Sequence, residues 1–232
     1  MKILVLIYAP LGDSLFTIPS LKSLRLGFPE ANIKLITSTP SSWFFMDNEN
    51  IDEVIAVDSE SQLLKTIIKL RDINFDLVLA LSHVASYLLP FSRAEKKAGF
   101  IGNNLGFIYD FKLPDRRTSH VVDYCLGITE AVGGLKIDAA KEYKLPIYKK
   151  DIWSVLNKIN LKTDRSLDSN SDKPLKPLLV IHPGGKYFKL KRWPAKYYKR
   201  FIKQLDKELT LNIILIGGRE ERGEAEELID QE

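Results

Sequence analysis

Short apolar runs alternate along this chain with segments in which apolar residues recur every three or four positions. The runs are rich in branched side chains, which predicts strands buried on both faces. The longer periodicity, as in Leu15, Ile18, Leu21 and Leu24, predicts helices. Strands are predicted at 3–7, 33–37, 54–57, 77–81, 178–181 and 213–216, and helices at 15–27, 63–70, 84–91, 121–132, 195–209 and from about 220 onward.

Strands that alternate with helices are typical of an α/β fold with a doubly wound, mostly parallel sheet. A polar stretch at 164–174 has no periodicity and predicts a linker. We therefore expect a Rossmann-like N-terminal domain at 1–165, a linker at 166–176 and a second Rossmann-like domain at 177–232. Two strand–helix units would leave the second sheet partly uncovered, so this domain is expected to be incomplete or to dock on something else.

Composition narrows the class of protein. A chain of 232 residues that is 45% hydrophobic and 28% charged can bury a sizeable core, which excludes disordered and disulfide-stapled scaffolds. The single cysteine, Cys125, cannot form an internal disulfide. No apolar run approaches the roughly 20 residues that span a bilayer. A cytoplasmic protein is expected.

Charge is distributed unevenly. Residues 141–203 carry 17 Lys and Arg against 5 Asp and Glu, whereas residues 204–232 carry 3 against 9. Eight of the basic residues lie in 186–203, where there is no acid. Such a run is typical of a solvated helix face, or of a surface for nucleic acid, anionic lipid or a phosphorylated substrate.

The turn after the first predicted strand holds the first candidate group. It contains a single glycine, Gly12, followed by Asp13, and no Gly-x-Gly-x-x-Gly or Walker-type phosphate loop occurs in the chain. Hydride transfer and P-loop chemistry are therefore disfavoured. Asp13 is either an N-cap for the following helix or a general base at the mouth of a cleft.

A second candidate segment follows the strand predicted at 178–181. Gly184 and Gly185 would let backbone amides face an anion, and Lys186, Lys191 and Arg192 would add positive charge. Pro194 suits the first turn of the next helix. The segment is predicted to hold a pyrophosphate.

Taken in order, these motifs resemble glycosyltransferase family 9, the lipopolysaccharide heptosyltransferases. The resemblance rests on Gly12-Asp13, Thr17-x-Pro19, Phe28-Pro29, His182-Pro183-Gly184, the Lys-x-Trp-Pro at 191–194, and Gly217-Gly218 followed by acids. Members also carry a later Asp-x-Gly-x-x-His motif that this sequence lacks. The chain is therefore expected to be a C-terminally truncated member.

The resemblance implies a B-type glycosyltransferase fold of two Rossmann domains with the active site in the cleft between them. It implies inverting transfer of a heptose or related sugar from a nucleotide-linked, ADP-type donor. By matching position, Asp13 would be the catalytic base, Lys191 would pair with donor phosphates, and Glu221 would lie near the nucleoside. Gly12 and Thr17 fall in the matched opening motif, whereas Lys186 and Arg192 are assigned on electrostatic grounds.

Further expectations concern partners and alternatives. No metal and no cofactor are implied; the acceptor would be an acidic glycolipid, and peripheral contact with the inner face of the cytoplasmic membrane is left open. An inactive remnant or binding module is the alternative, and a nucleic-acid-binding role is weaker because no known module surrounds the basic run. His83 and His182 are left open between substrate contact and structure, whereas His120 is expected to be structural.

Overall fold

The computed structural model of the chain describes residues 1–100, 106–112, 120–143, 145–146, 151, 154–155, 177–184 and 192–229. The chain divides into two compact units, Met1–Pro146 and Ile147–Glu232. The linker expected at 166–176 lies outside the described residues, so the boundaries of the expected domains stay predictions. Each unit is described by itself.

Among its described residues, the first unit contains six strands and the helices that connect them. The strands are β1 (Lys2–Ile7), β2 (Asn32–Ser38), β3 (Glu53–Val57), β4 (Phe75–Ala80), β5 (Ala94–Gly99) and β6 (Phe111–Lys112). The helices are α1 (Leu11–Leu15), α2 (Ile18–Gly27), α3 (Thr39–Ser42), α4 (Glu60–Lys69), α5 (His83–Leu88) and α6 (Val121–Ala131). Short 3₁₀ segments lie at Leu70–Ile73, Leu89–Phe91, Gly106–Ile108 and Ala139–Lys141.

All six strands are parallel and lie in the order β3-β2-β1-β4-β5-β6. This is the doubly wound arrangement expected from the sequence, and it places β1 and β4 at the centre. The two faces of β1 are both buried: Ile3 and Val5 pack towards α2 and α6, and Leu4 packs towards α4 and α5. Burial on both faces explains why β1 is a continuous apolar run.

Two of the local differences from the sequence prediction have a direct physical reason. The helix predicted at 15–27 is two helices, because Pro19 has no amide hydrogen for a continuing ladder and α2 begins one residue before it. Strand β5 was not predicted, since Glu95, Lys96 and Lys97 interrupt its apolar pattern. Its pairing with β4 holds it in the sheet, although its composition does not predict a strand.

In the described residues, the second unit has two parallel strands, β7 (Leu178–Ile181) and β8 (Asn212–Leu215). Two helices accompany them, α7 (Ala195–Glu208) and α8 (Arg222–Ile229), with a 3₁₀ turn at Arg219–Glu221. These elements follow the predicted order. Leu178 and Val180, alternate residues on one face of β7, are about half exposed.

None of the helices in the described parts of the chain combines the length and the apolar character that a bilayer span requires.

Candidate functional site

A cavity of about 110 Å³ opens at the carboxyl edge of the first unit's sheet. It lies where the connections from β1 and β4 leave the sheet in opposite directions, which is the position at which doubly wound sheets bind ligands. Its lining comes from the segments after β1, β4 and β5 and from the start of α6. The lining residues are Tyr8, Ala9, Pro10, Asp13, Leu81, Ser82, His83, Val84, Phe100 and Val121.

Asp13 brings a carboxylate to this cavity. It is the third residue of α1, whose N-cap is Pro10. The N-cap alternative for Asp13 is therefore wrong. Asp13 is exposed, and the described part of the chain gives its carboxylate no hydrogen bond or ion pair. An exposed carboxylate at the mouth of a cavity can accept a proton from a bound ligand.

Backbone contacts fix the loops that form the cavity. The Tyr8 amide donates to the Ser82 hydroxyl at 3.0 Å, which joins the segment after β1 to the segment after β4. The Ser14 hydroxyl donates to the Ala9 carbonyl at 3.2 Å and holds α1 against the same turn. Asp13 directly precedes Ser14 and His83 directly follows Ser82, so both project from a fixed backbone.

One wall of the cavity is aromatic. The His83 ring lies 5.1 Å from the Phe100 ring, and Phe100 lies 4.7 Å from Tyr124, measured between centroids. The Phe100 amide donates to the Ser86 hydroxyl at 3.0 Å. The wall is therefore supported by packing and by a backbone hydrogen bond, and its apolar surface suits the carbon face of a sugar ring.

The other two predicted residues of this unit lie beside the cavity and do not line it. Gly12 is exposed, and a β-carbon there would meet no atom within 4 Å. The fold therefore does not require glycine at this position. Thr17 is fully buried and donates its hydroxyl to the Ser14 carbonyl at 2.7 Å, where it stabilises the junction of α1 and α2. Roles for both in binding stay predictions.

The second unit places Glu221 and Gly184 together at the carboxyl edge of β7 and β8. Glu221 is buried, and its carboxylate accepts from the Gly218 amide at 2.8 Å. His182 Nε2 lies 3.5 Å from the same carboxylate oxygen. A β-carbon at Gly184 would overlap the Glu221 carboxylate. The motif glycine is therefore required for Glu221 to pack against the segment after β7.

The remaining predicted residues are Arg192, Gly185, Lys186 and Lys191. Arg192 is partly buried and precedes α7. Gly185, Lys186 and Lys191 lie outside the described residues, so the predicted pyrophosphate site stays a prediction. Within the described residues, no group of three or more His, Cys, Asp and Glu side chains is placed to hold a metal ion.

Sequence reasoning left out several of the cavity residues. Tyr8 and Phe100 were not singled out, and His83 was left open. Tyr8 directly follows β1 and His83 lies three residues after β4, and that position is the signal that could have identified these two, because the carboxyl ends of parallel strands meet at one edge. Phe100 could not be found in this way because β5 itself was not predicted. His120 is structural as expected: its Nδ1 accepts from the Val122 amide at 3.3 Å.

The strand order, with a cavity at the reversal point, defines the first unit as a Rossmann-like α/β domain. Comparison with known proteins then gives the family. The family model for glycosyltransferase family 9 (heptosyltransferase) matches residues 63–231. The chain belongs to this family, as its motifs predicted. No curated protein was found to match the chain significantly.

Solved structures support the same fold. The chain is similar to a glycosyl transferase family 9 protein from Veillonella parvula, with a TM-score of 0.79 and 20% identity over 99% of this chain and 66% of that chain. It is similar to E. coli ADP-heptose lps heptosyltransferase II, with a TM-score of 0.74 and 18% identity over 99% of this chain and 68% of that chain. A third match, E. coli heptosyltransferase WaaC with ADP, has a TM-score of 0.66 and 16% identity over 99% of this chain and 71% of that chain.

These matches confirm the predicted B-type glycosyltransferase fold. The chain spans about two thirds of the length of the structures it matches. The activity, substrates and partners of a whole enzyme are therefore treated below as proposals.

Proposed function

We propose that this chain belongs to an inverting glycosyltransferase that moves a heptose or a related sugar from a nucleotide-sugar donor to an acidic glycolipid acceptor. The observation that carries the proposal is the position of Asp13. Its carboxylate is exposed at the reversal point of the sheet, on a cavity with an aromatic wall. Membership of glycosyltransferase family 9 supports the reaction class.

The acceptor hydroxyl would bind in the cavity with its proton directed at Asp13. Asp13 accepts this proton as the acceptor oxygen forms a bond to the anomeric carbon of the donor. The bond from that carbon to the nucleoside diphosphate breaks with its electron pair leaving on the phosphate oxygen, and the anomeric centre inverts. A single displacement of this kind requires one base and no covalent sugar–enzyme intermediate.

The donor would bind to the second unit. The leaving diphosphate gains negative charge, which cations and backbone amides stabilise. Residues 186–203 carry eight basic residues and no acid, and Gly184 precedes them at the strand edge. An adenosine diphosphate carrier is proposed because the matched E. coli structure contains ADP. We propose that the reaction takes place at the cytoplasmic face of the membrane, where a glycolipid acceptor would be reached from the aqueous side.

The test is transfer by the complete protein with Asp13→Asn. Asparagine keeps the size of the side chain but removes the base, so we expect transfer to fall by about a thousandfold or more. Glu130→Gln is the matched control, since Glu130 is an exposed carboxylate at the far end of α6 from the cavity. Thermal unfolding should be the same for both variants. Turnover retained in Asp13→Asn would show that Asp13 is not the base, and no transfer by the unaltered protein would favour an inactive binding module.

A further inference from the structure

Helix α7 of the second unit carries its basic residues along one face. Five of its 14 residues are Lys or Arg, and they lie at 196, 199, 200, 203 and 207. Residues three or four apart are neighbours on a helix surface, so these side chains form one continuous row, here called the basic face. Arg200 in this row and the buried Ile202 are two positions apart and therefore lie on opposite sides of the helix.

The basic face forms an open groove on the surface of the second unit. The residues that line the groove are Lys199, Arg200, Lys203, Gln204 and Lys207, so its described lining holds four cations and no acid. The two acids of α7, Asp206 and Glu208, lie in its last turn, and Glu208 accepts a hydrogen bond from Gln204 at 3.1 Å. Cations that converge on one groove repel each other, and a negatively charged partner relieves that repulsion.

The basic face extends away from the edge at which the donor is proposed to bind. Strands β7 and β8 are parallel, so α7, which connects them, runs back from the carboxyl edge of the sheet towards its amino edge. With a rise of about 1.5 Å per residue, Lys203 and Lys207 lie about 12 and 18 Å along the helix from Ala195. These two cations therefore suit a partner other than the donor diphosphate.

Two exposed aromatic rings lie at the beginning of the basic face. Trp193 and Tyr197 are 47% and 44% exposed, and their stacked rings have centroids 5.9 Å apart. Lys196 Nζ lies 4.9 Å from the centroid of Tyr197. Trp and Tyr beside Lys and Arg are typical of the interface between a bilayer and water. A nucleic acid would instead stack its bases on free ring faces, and Trp193 and Lys196 already lie against Tyr197.

We propose that the basic face of α7, with Trp193 and Tyr197 beside it, binds the surface of a bilayer that contains anionic lipid. Charge complementarity carries the assignment: a layer of anionic headgroups presents many negative charges in a plane, which matches cations spread over about 17 Å of one helix face. The proposed function places a glycolipid acceptor at a membrane but names no surface that contacts the membrane. The inference supplies that surface, and it does not depend on the role of Asp13.

The experiment measures binding of the 232-residue chain to sucrose-loaded vesicles by sedimentation. Vesicles of phosphatidylcholine with about 30% phosphatidylglycerol are compared with vesicles of phosphatidylcholine alone. In about 0.1 M NaCl we expect the anionic vesicles to bind at least about thirtyfold more tightly. In about 0.5 M NaCl this preference should fall by about tenfold, because salt shortens the distance over which charges attract each other.

Paired substitutions separate the basic face from the total charge of the chain. Each cation close to an anionic lipid surface strengthens binding about fivefold, so Lys203→Gln/Lys207→Gln should bind anionic vesicles about thirtyfold more weakly. Lys203→Arg/Lys207→Arg keeps both charges and should bind as the unaltered chain does.

The matched control is Lys65→Gln/Lys69→Gln. Lys65 and Lys69 are exposed and have the same spacing on α4 of the first unit, but they are not part of the basic face. Their replacement removes the same charge and should change binding by less than about threefold. Thermal unfolding should be alike for the test and control variants, because glutamine and lysine have similar helix propensities.

Equal binding to the two kinds of vesicle would overturn the inference, and so would an equal loss of binding in the α4 control, since net charge alone would then explain the effect. A third arm uses single-stranded oligouridine of about 20 nucleotides. If the oligonucleotide binds more tightly than the anionic vesicles and Lys203→Gln/Lys207→Gln abolishes that binding, the partner is nucleic acid and the inference fails. The proposed function fails by a different measurement, which is sugar transfer retained in Asp13→Asn, and neither failure implies the other.

Discussion

Gly27, the last residue of α2, lies directly against the backbone of Gly133, two residues beyond the end of α6. A β-carbon at residue 27 would overlap the Gly133 carbonyl oxygen. Gly133 itself has a φ of 111°, a backbone conformation that favours glycine. Beside this contact, the Thr129 hydroxyl donates to the Ser23 hydroxyl at 3.2 Å. The two helices that cover one face of the sheet therefore meet at backbone distance.

Gly27→Ala should destabilise the protein. The added methyl group has no space, and overpacking of this kind costs about 1–3 kcal/mol, which exceeds the helix propensity that alanine adds. The free energy of unfolding in urea measures this loss.

Gly127→Ala is the matched control for that substitution. Gly127 lies within α6, and a β-carbon there would meet no atom within 4 Å. Alanine should therefore leave stability unchanged or raise it by up to about 1 kcal/mol. Equal stability of the Gly27→Ala and Gly127→Ala variants would contradict the close contact between Gly27 and Gly133.

Asp52→Asn should destabilise the protein at neutral pH. Burial opposes ionisation of Asp52, but the Ile33 amide and the Arg25 guanidinium donate to its carboxylate at 2.6 and 2.7 Å and hold its pKa below the usual range. Ionised Asp52 therefore stabilises the fold, and losing it should cost about 1 kcal/mol for this partly exposed group.

The pH dependence of that loss follows from the lowered pKa. The stabilisation is fully present above the unfolded pKa of about 3.9 and is lost as the pH falls through the lower folded value. The difference between the unaltered protein and Asp52→Asn should thus be constant above about pH 5 and begin to shrink as the pH falls below about 4. The measurement is urea unfolding across pH 3–7, with exposed Asp72→Asn as control. A constant difference over that range would contradict the assignment.

Gly12→Ala should impair the site and leave the fold intact. A β-carbon at Gly12 would enter open space next to Asp13, so stability should be unchanged or slightly higher. If an acceptor occupies that space, kcat/KM for transfer should fall by about tenfold or more. The measurements are acceptor kinetics on the complete protein and thermal unfolding. Unchanged kinetics would mean that the ligand does not approach Gly12.

Glu221→Ala should loosen the second unit locally. It leaves the Gly218 amide without its carboxylate acceptor and removes the group beside His182, a loss of about 1–2 kcal/mol. Faster hydrogen exchange in β8 and the following turn would report it. Glu226→Ala is the control, because Glu226 makes an exposed pair with Arg222 worth at most about 0.5 kcal/mol. Equal exchange in both variants would show that Glu221 does not organise this edge.

The sequence by itself determined the elements whose apolar pattern is strong. Strand β1 is predicted at 3–7 because both of its faces are buried, so the pattern is continuous. Strand β5 was not predicted because its charged residues hide the apolar pattern of a strand. Its pairing with β4, and not its composition, holds it in the sheet. A pattern of neighbouring residues does not show which strands pair when they are far apart in the sequence.

The candidate site likewise divides into features that the sequence predicted and features that only the tertiary structure showed. The sequence identified Asp13 from its turn and the family from ordered motifs, since both are local features of the chain. Only the tertiary structure excluded the N-cap role of Asp13 and brought His83 and Phe100 to the same cavity. Residues 13, 83 and 100 meet because parallel strands end at one edge of the sheet, and the order of those strands is decided by packing over the whole domain.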